Sequence, residues 1–493
     1  MSGPLIIAGC GPAGLMLAHE LALWNVETVL LDPLPELSAH SPGQALNLSA
    51  VELLDQRGLL NDLLPHSTPV QGTHFSLIWL DEAALHDREH RAMRVAQQYV
   101  ERQLERQAVR RGAELRRGHE LIGYTQDTDG VDVRVRGPEG EYLLRGSYLV
   151  GADGESSLVR ELAGIPFPGT GASNCGLVAD VEVEHDSLPE AHRGSKVSPG
   201  GGIYSAVPTG PNVSRIITAE FDTVAPGEDV PPDAAELRAA IERINGAAFP
   251  DVPVRWLRRY GGPTRVADRY REGRVFLVGD AAHTFYPLAG LRLNLCLEDA
   301  ANLGWKLAAQ LQGWATDGLL DTYHSERHPQ GLRAAEATDA QLALIYPAHR
   351  VRPLRALVTE MLRYPDFNRH LLELSAGLDV DYVPTETEPL VGRRLPHVRL
   401  VSPAGAVRVP ELLHEGRGLL LNLSGSGDAE RVAIGRENRL HTVSVKPVPE
   451  IPADAVLVRP DGHVAWAGDP LADEAGLRRA ADTWFGVAET DQE

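Results

Sequence analysis

The segment Gly9-Cys10-Gly11-Pro12-Ala13-Gly14 lies between the apolar run Leu5-Ile6-Ile7-Ala8 and a helical stretch from Leu15 to Leu23. A second apolar run, Thr28-Val29-Leu30-Leu31, then closes on Asp32. Strand, glycine turn, helix, strand and terminal acid together make a βαβ unit of the dinucleotide-binding kind. Gly9 makes the tight turn, Gly11 lets backbone amides approach a pyrophosphate at the positive end of the helix, and Gly14 permits close helix packing. Asp32 is placed to accept hydrogen bonds from a ribose. A glycine turn alone is a weak signal, and a purely structural βαβ turn is the competing reading.

The chain of 493 residues is too long for one ordinary core, so two or three domains are expected. A charged helix is predicted from about Gln97 to Arg111. The alternating segment Val131–Val135 follows, with a turn at Gly-Pro-Glu-Gly, and a strand Ser147–Val150 leads into Gly151-Ala152-Asp153-Gly154. Alternating strands Leu177–Val183, Gly202–Val207 and Ser214–Phe221, broken by a helix Asp233–Ile244, read as a mixed sheet. Arg274–Gly279 restores the first pattern and delivers Asp280-Ala281-Ala282-His283, ahead of a long helix from about Leu293 to Gln312. Val383–Pro389 has the composition of a linker. Beyond it, a hairpin turning at Asp461-Gly462 marks a separate α/β module. The fold class read from this is α/β: a Rossmann-like dinucleotide-binding domain, an inserted mixed β-sheet domain and a C-terminal domain. The boundaries expected are 1–174 and 271–384 for the discontinuous dinucleotide-binding domain, 175–270 for the middle sheet and 385–493 for the tail.

Composition narrows the partners. Lys and Arg number 47 against 68 Asp and Glu, and a net charge of −21 repels polyanions, which argues against nucleic acid. No run approaches the length of a membrane helix, and the start of the chain shows no basic or cleavable leader, so the cytoplasm is the expected location. Cys10, Cys175 and Cys296 are too few and too scattered for a disulfide framework or a zinc site, and no metal site is expected.

Taken in order, the three segments at Gly9–Gly14, Gly151–Gly154 and Gly279–His283 resemble the fingerprint of flavin-dependent aromatic hydroxylases of the p-hydroxybenzoate hydroxylase type. Glu298–Leu307, Leu319–Pro329, Glu52–Gly58 and Leu162–Gly169 extend the resemblance, the last two toward its bacterial polyketide-tailoring branch. The resemblance implies FAD, with Gly9, Gly11, Pro12, Ala13, Gly14 and Asp32 around its ADP half. Asp280 would lie near the ribityl chain, Asp153 would support both motifs, and Gln97, Gly279, Leu291, Arg292, Leu293 and Asn294 would complete the cofactor set. The tail is similar to the thioredoxin-like domain of these enzymes. It has no cysteine, which excludes thiol redox chemistry and leaves a packing or dimerising role, with a homodimer open.

Four departures cluster around the expected flavin. The family's glycine-rich loop reads Ala289-Gly290-Leu291-Arg292 before Leu293-Asn294, which puts a bulky cation where close backbone approach is wanted. Ser41-Pro42-Gly43 lacks the family's arginine, Ser49 stands where another is usual, and Ala96-Gln97-Gln98-Tyr99-Val100-Glu101 keeps Gln97 but loses a third. Trp79, Tyr204, Phe285, Tyr286 and Pro287 are expected to line a substrate pocket between flavin and middle sheet. His283 either faces that pocket or is structural, and no catalytic acid–base pair is evident. Three readings follow. One is a polyketide-tailoring cyclase of the [4+2], decalin-forming kind with FAD as a structural wall. Another is a hydroxylase of an aromatic polyketide, which alone would require NAD(P)H. The last is a binding protein that has lost its flavin.

Overall fold

The computed structural model describes residues 3–38, 43–70, 72–85, 88–171, 174–198, 202–223, 230–383 and 388–488. Ser41 and Pro42, which carry the second departure, and most of the linker at 384–387 lie outside the described residues.

The first unit is β1 (Leu5–Ala8), α1 (Pro12–Leu23) and β2 (Thr28–Asp32). Both strands are buried along their whole length, as parallel strands covered on both faces must be. Pro12 opens α1 at its first turn, where a missing N–H costs nothing. Then come α2 (Leu48–Gln56), a short hairpin of β3 (His74–Phe75) and β4 (Ile78–Trp79), and α3 (Gln97–Arg110). After α3 lie β5 (Glu114–Arg117), β6 (Glu120–Gln126), β7 (Val131–Gly137), β8 (Gly140–Gly146) and β9 (Leu149–Gly151). The hairpin β7–β8 turns where Gly-Pro-Glu-Gly predicted it, with Gly137 paired to Gly140.

The middle sheet, expected to be mixed, is fully antiparallel, since none of its neighbouring strands run the same way. Its strands are β10 (Asn174–Val181), β11 (Gly194–Val197), β12 (Ile203–Gly210), β13 (Val213–Phe221) and β14 (Val254–Tyr260), in the order β11-β12-β13-β10-β14. Between β13 and β14, α4 (Ala234–Asn245) is capped by the Asp233 side chain and ended by Gly246 in the left-handed region. It covers one face of the sheet with Leu237, Ala240, Ile241 and Ile244. β15 (Arg271–Glu272) and β16 (Val275–Leu277) return to the first sheet and complete the order β15-β16-β9-β1-β2-β5, parallel except for β15.

The helices α5 (Leu291–Leu311), α6 (Asp321–Ala343), α7 (Ala348–Met361) and α8 (Pro365–Ala376) follow. The tail is a four-stranded mixed sheet of thioredoxin-like type, built from β17 (Gly418–Asn422), β18 (Leu440–Ser444), β19 (Ala455–Val458), β20 (Val464–Gly468) and α9 (Glu474–Phe485). Its order is β18-β17-β19-β20, and the β19–β20 connection carries Asp461 and Gly462.

That connection enters the dinucleotide-type half as a charged plug. Arg459 pairs with Glu326 of α6 (2.5 and 2.8 Å) and with Asp461. Lys306 of α5 reaches Glu326 and Asn302, each at 2.7 Å. Burial pushes the Lys306 ammonium down to about 8. Burial would raise the Glu326 carboxyl, but Arg459 and Lys306 prevail and hold it near 2. On the neighbouring face Arg57 joins Glu20 of α1 to the carbonyls of Leu413 and Pro460. Buried charges are tolerated here because each has a hydrogen-bonded counter-charge.

Candidate functional site

The three glycines of the first turn have separate jobs. Gly9 has φ +108, and a Cβ there would lie 2.2 Å from the Ala152 carbonyl oxygen; a Cβ on Gly14 would lie 2.0 Å from the Gly9 oxygen. Both are required by the protein's own packing. Gly11 has an ordinary φ of −77, and a Cβ there would meet nothing within 4 Å. Gly11 therefore keeps space open, and no atom of the described residues fills it. The amides at the start of α1 receive no side-chain cap, which leaves the positive helix end to an anion. Asp32 is held by the amides of Cys10 (2.8 Å) and Leu34 (2.9 Å), with Arg117 4.0 Å away. A cradle that a Cβ would fill, an uncapped helix start and an oriented acid fit the ADP half of a dinucleotide.

The third motif lies directly against this cradle. Gly279 has φ +61, and a Cβ on it would come within 2.9 Å of both the Ala13 Cβ and the Cys296 Sγ. Asp280 stands beside it on a tight turn with a third of its side chain exposed. Its partner is Arg292: one guanidinium nitrogen makes a short ion pair with Asp280 and the Nε is 3.3 Å from the other carboxylate oxygen. Glu155 lies 3.6 Å from the same guanidinium. Burial would lower the Arg292 pKa, but Asp280 raises it on balance, so Arg292 stays charged. Gly290 takes φ +73 and ends the loop, Leu291 and Leu293 are buried in the first turns of α5, and Asn294 ties that turn to α2 through the Asn47 amide at 3.1 Å.

Other expected residues are placed differently. Asp153 accepts from the Ser157 hydroxyl and from the Val159 amide (3.0 Å), so it caps its own short helix, and burial pushes its carboxyl up. Gln97 takes the Gly43 carbonyl with its amide and donates from its side chain to Glu101 (2.8 Å). His283 is completely buried, with Nε2 2.7 Å from Asp299, and Arg327 holds the second Asp299 oxygen at 2.8 Å. Burial would raise the Asp299 carboxyl; Arg327 and His283 hold it below the usual range. His283 is thus a structural histidine and does not face a pocket.

Of the aromatic residues, Tyr204 corrects the expectation most clearly. It lies on the α4 face of the middle sheet, fully buried, and donates to the His192 carbonyl at 3.0 Å. Strand alternation sends it away from the FAD-binding half. Phe285 belongs to the main core, stacked with His283, and Trp79 is more than half exposed on β4, so neither lines the cleft. Pro287 is exposed at its margin. Tyr286 does stand between the domains. Its hydroxyl is 2.8 Å from that of Tyr260, and burial pushes it up to about 12. It packs with Leu288, with Ile203 and Ala219 of the inner sheet face, and with Ile345.

Two features escaped sequence reading. Arg394, from the segment leading into the tail, donates to the Ser49 carbonyl (2.6 Å) and lies 3.6 Å from Glu298, so a cation from far along the chain stands beside the position that lost one. The two-residue turn of the β3–β4 hairpin consists of Ser76 and Leu77, both with φ +57. For non-glycine residues this costs about 1–2 kcal/mol each. Asn-Gly and similar pairs are the usual occupants, and Ser-Leu carries no turn signal. A cavity of about 540 Å³, lined by Trp24, Trp314, Arg111 and Arg417 among others, opens at the far end of α1 from the glycine turn. Among the described residues there is no cluster suited to a metal ion, and no helix is long and apolar enough to cross a membrane.

Comparison with known proteins decides the family. Residues 3–338 match the FAD binding domain family, and residues 388–488 match the aromatic-ring hydroxylase C-terminal family. The chain belongs to the flavin-dependent aromatic hydroxylase family. This hydroxylase-family protein is 42% identical to a dialkyldecalin synthase from Streptomyces rugosporus over 99% of its own length and 100% of the relative's. The solved structure of a Diels-Alderase of pyrroindomycin biosynthesis superimposes with a TM-score of 0.89 at 41% identity, covering 99% of this chain and 100% of that one. An anhydrotetracycline hydroxylase from Streptomyces rimosus gives a TM-score of 0.91 at 38% identity, with 99% and 100% covered. The hydroxylase-family protein is an FAD-dependent enzyme of polyketide tailoring, and the reading as a flavin-free binding protein is set aside.

Proposed function

We propose that this enzyme binds FAD as a fixed wall and folds a large, mostly apolar polyketide beside it for a non-redox [4+2] ring closure. In that closure a diene and an alkene form two σ bonds and the remaining π bond shifts. No atom or electron leaves the substrate, and no reductant is consumed. The observation that carries the reading is the Arg292–Asp280 ion pair at the start of α5, where the resemblance leads one to expect bare glycine backbone. FAD supplies oxygen chemistry to hydroxylases when it is bound; here the residues best placed to hold it also tie up the loop beside it. Gly11 and the first turn of α1 would take the pyrophosphate, Asp32 the ribose and Asp280 the ribityl side. Where the inner sheet face meets the Tyr286–Leu288 loop lies an apolar layer of Ile203, Ala219, Tyr286, Leu288 and Ile345 with no acid–base pair among them, which suits a reaction driven by holding a flexible chain in a reactive conformer.

Hydroxylation of an aromatic polyketide is the second reading. It is favoured by Arg394, which restores a cation beside Ser49 and so compensates one departure. Incubating the FAD-loaded enzyme with a linear polyene substrate, anaerobically and without NAD(P)H, separates the two. Cyclised product of unchanged mass supports ring closure. Product only when NAD(P)H and oxygen are both supplied, with the mass of one added oxygen, supports hydroxylation.

A further inference from the structure

Leu77 occupies a backbone conformation that leucine avoids, and the structure goes to some length to keep it there. Ser76, its partner in the turn, donates its amide to Gln341 Oε1 (2.9 Å) and its hydroxyl to the Gln341 carbonyl (2.7 Å). Arg355 of α7 donates to the Ser76 carbonyl (2.8 Å) and to that of Leu344 (3.1 Å). Clamped from α6 and α7, the hairpin packs the half-buried Leu77 against the layer of Tyr286, Leu288, Ile203, Ala219 and Ile345 where loop and sheet meet. Strained residues persist where surrounding contacts over-determine them, and they collect at ligand sites. A glycine or asparagine at position 77 would relieve the strain, so the leucine is kept for its side chain.

We propose that Leu77 is a specificity-determining residue: a branched knob set into the layer between sheet and loop, admitting an acyclic chain that bends around it and excluding a flat fused polycycle that needs an unbroken slot. The inference rests on the reading above that the inner sheet face is the substrate side. Anhydrotetracycline serves as the flat probe, and its binding to FAD-loaded enzyme is read from the perturbation of the flavin absorbance band, with thermal unfolding measured in parallel. Leu77→Gly is expected to bind the probe at least tenfold more tightly than the parent and to unfold at the same or a higher temperature. Leu77→Asn, which suits the same backbone but keeps a branched side chain of about the same size, is expected to stay at the parent's affinity. Equal affinity in the parent and in Leu77→Gly overturns the proposal whatever the unfolding temperature does, as does an equal gain in Leu77→Asn, which would trace the effect to backbone strain. The underlying reading is tested separately by Ala219→Trp in the Leu77→Gly background, which should abolish probe binding. Binding that survives this change means that the tetracycle sits elsewhere, and the substrate-side assignment falls together with the role given to Leu77.

Discussion

Replacing Arg292 by glycine tests whether the ion pair at the start of α5 holds the flavin in place. Arg292 is about one-fifth exposed and engages both oxygens of Asp280, so a charge-assisted bond of about 1.5–3 kcal/mol is lost. Glycine in the first turn of a helix adds at most about 1 kcal/mol of backbone cost. Asp280 is one-third exposed and regains water, which limits the penalty to the fold. If the pair must open before the cofactor can shift toward an external reductant, removing it lowers that barrier by the energy of the pair. At about 1.4 kcal/mol per factor of ten, the gain is on the order of 10- to 100-fold. The assay is anaerobic stopped-flow mixing with NADPH or NADH, following the decay of the blue flavin band in protein that has been shown to retain FAD. An unchanged rate in a variant with bound FAD would refute the reasoning, because Arg292 would then be neither lock nor obstacle.

Gly11→Val should yield folded, colourless protein, since its Cβ meets no atom of the described residues but fills the pyrophosphate cradle; Gly9→Ala, forced to φ +108 against the Ala152 carbonyl, should instead lower stability directly. Flavin absorbance and circular dichroism of the two variants give the comparison, and FAD retained by Gly11→Val would contradict the assignment. The Glu326 network predicts an acid-labile domain junction: the carboxyl is held near 2 against an ordinary 4.5, so its contribution is complete above about pH 4.5 and is lost as pH falls toward 2. That contribution is of the order of 3 kcal/mol. Glu326→Gln should remove it at neutral pH and leave Lys306 and Arg459 short of a counter-charge, costing about 3–5 kcal/mol in urea unfolding. The same midpoint as the parent would show that the network contributes nothing net.

The first βαβ unit was legible because every feature of it is local: four apolar residues, a glycine turn and an acid within one short span. The separate roles of its glycines were not, since φ +108 at Gly9 and open space at Gly11 depend on where Ala152 arrives from another strand. Tyr204 was misplaced because alternation along β12 tells that neighbours face opposite ways, without telling which face meets α4. The motif at Arg292 was visible as a departure, yet its partner could not be assigned until Asp280 was brought opposite it by the turn at Gly290. Ser76 and Leu77 gave no signal at all, because the positive φ is imposed by Gln341 and Arg355, more than 260 residues along the chain.

The plug at Arg459 and Asp461 also bears on how the protein is made. α5 and α6 emerge from the ribosome carrying Lys306, Glu326 and Arg327 on faces meant for burial, while the arginine that completes Glu326 follows 133 residues later. In the interval Glu326 has Lys306 as its counter-charge and lacks the second, beside core not yet covered, a state prone to wrong partners. The junction between the two halves is therefore completed only when the last sheet arrives.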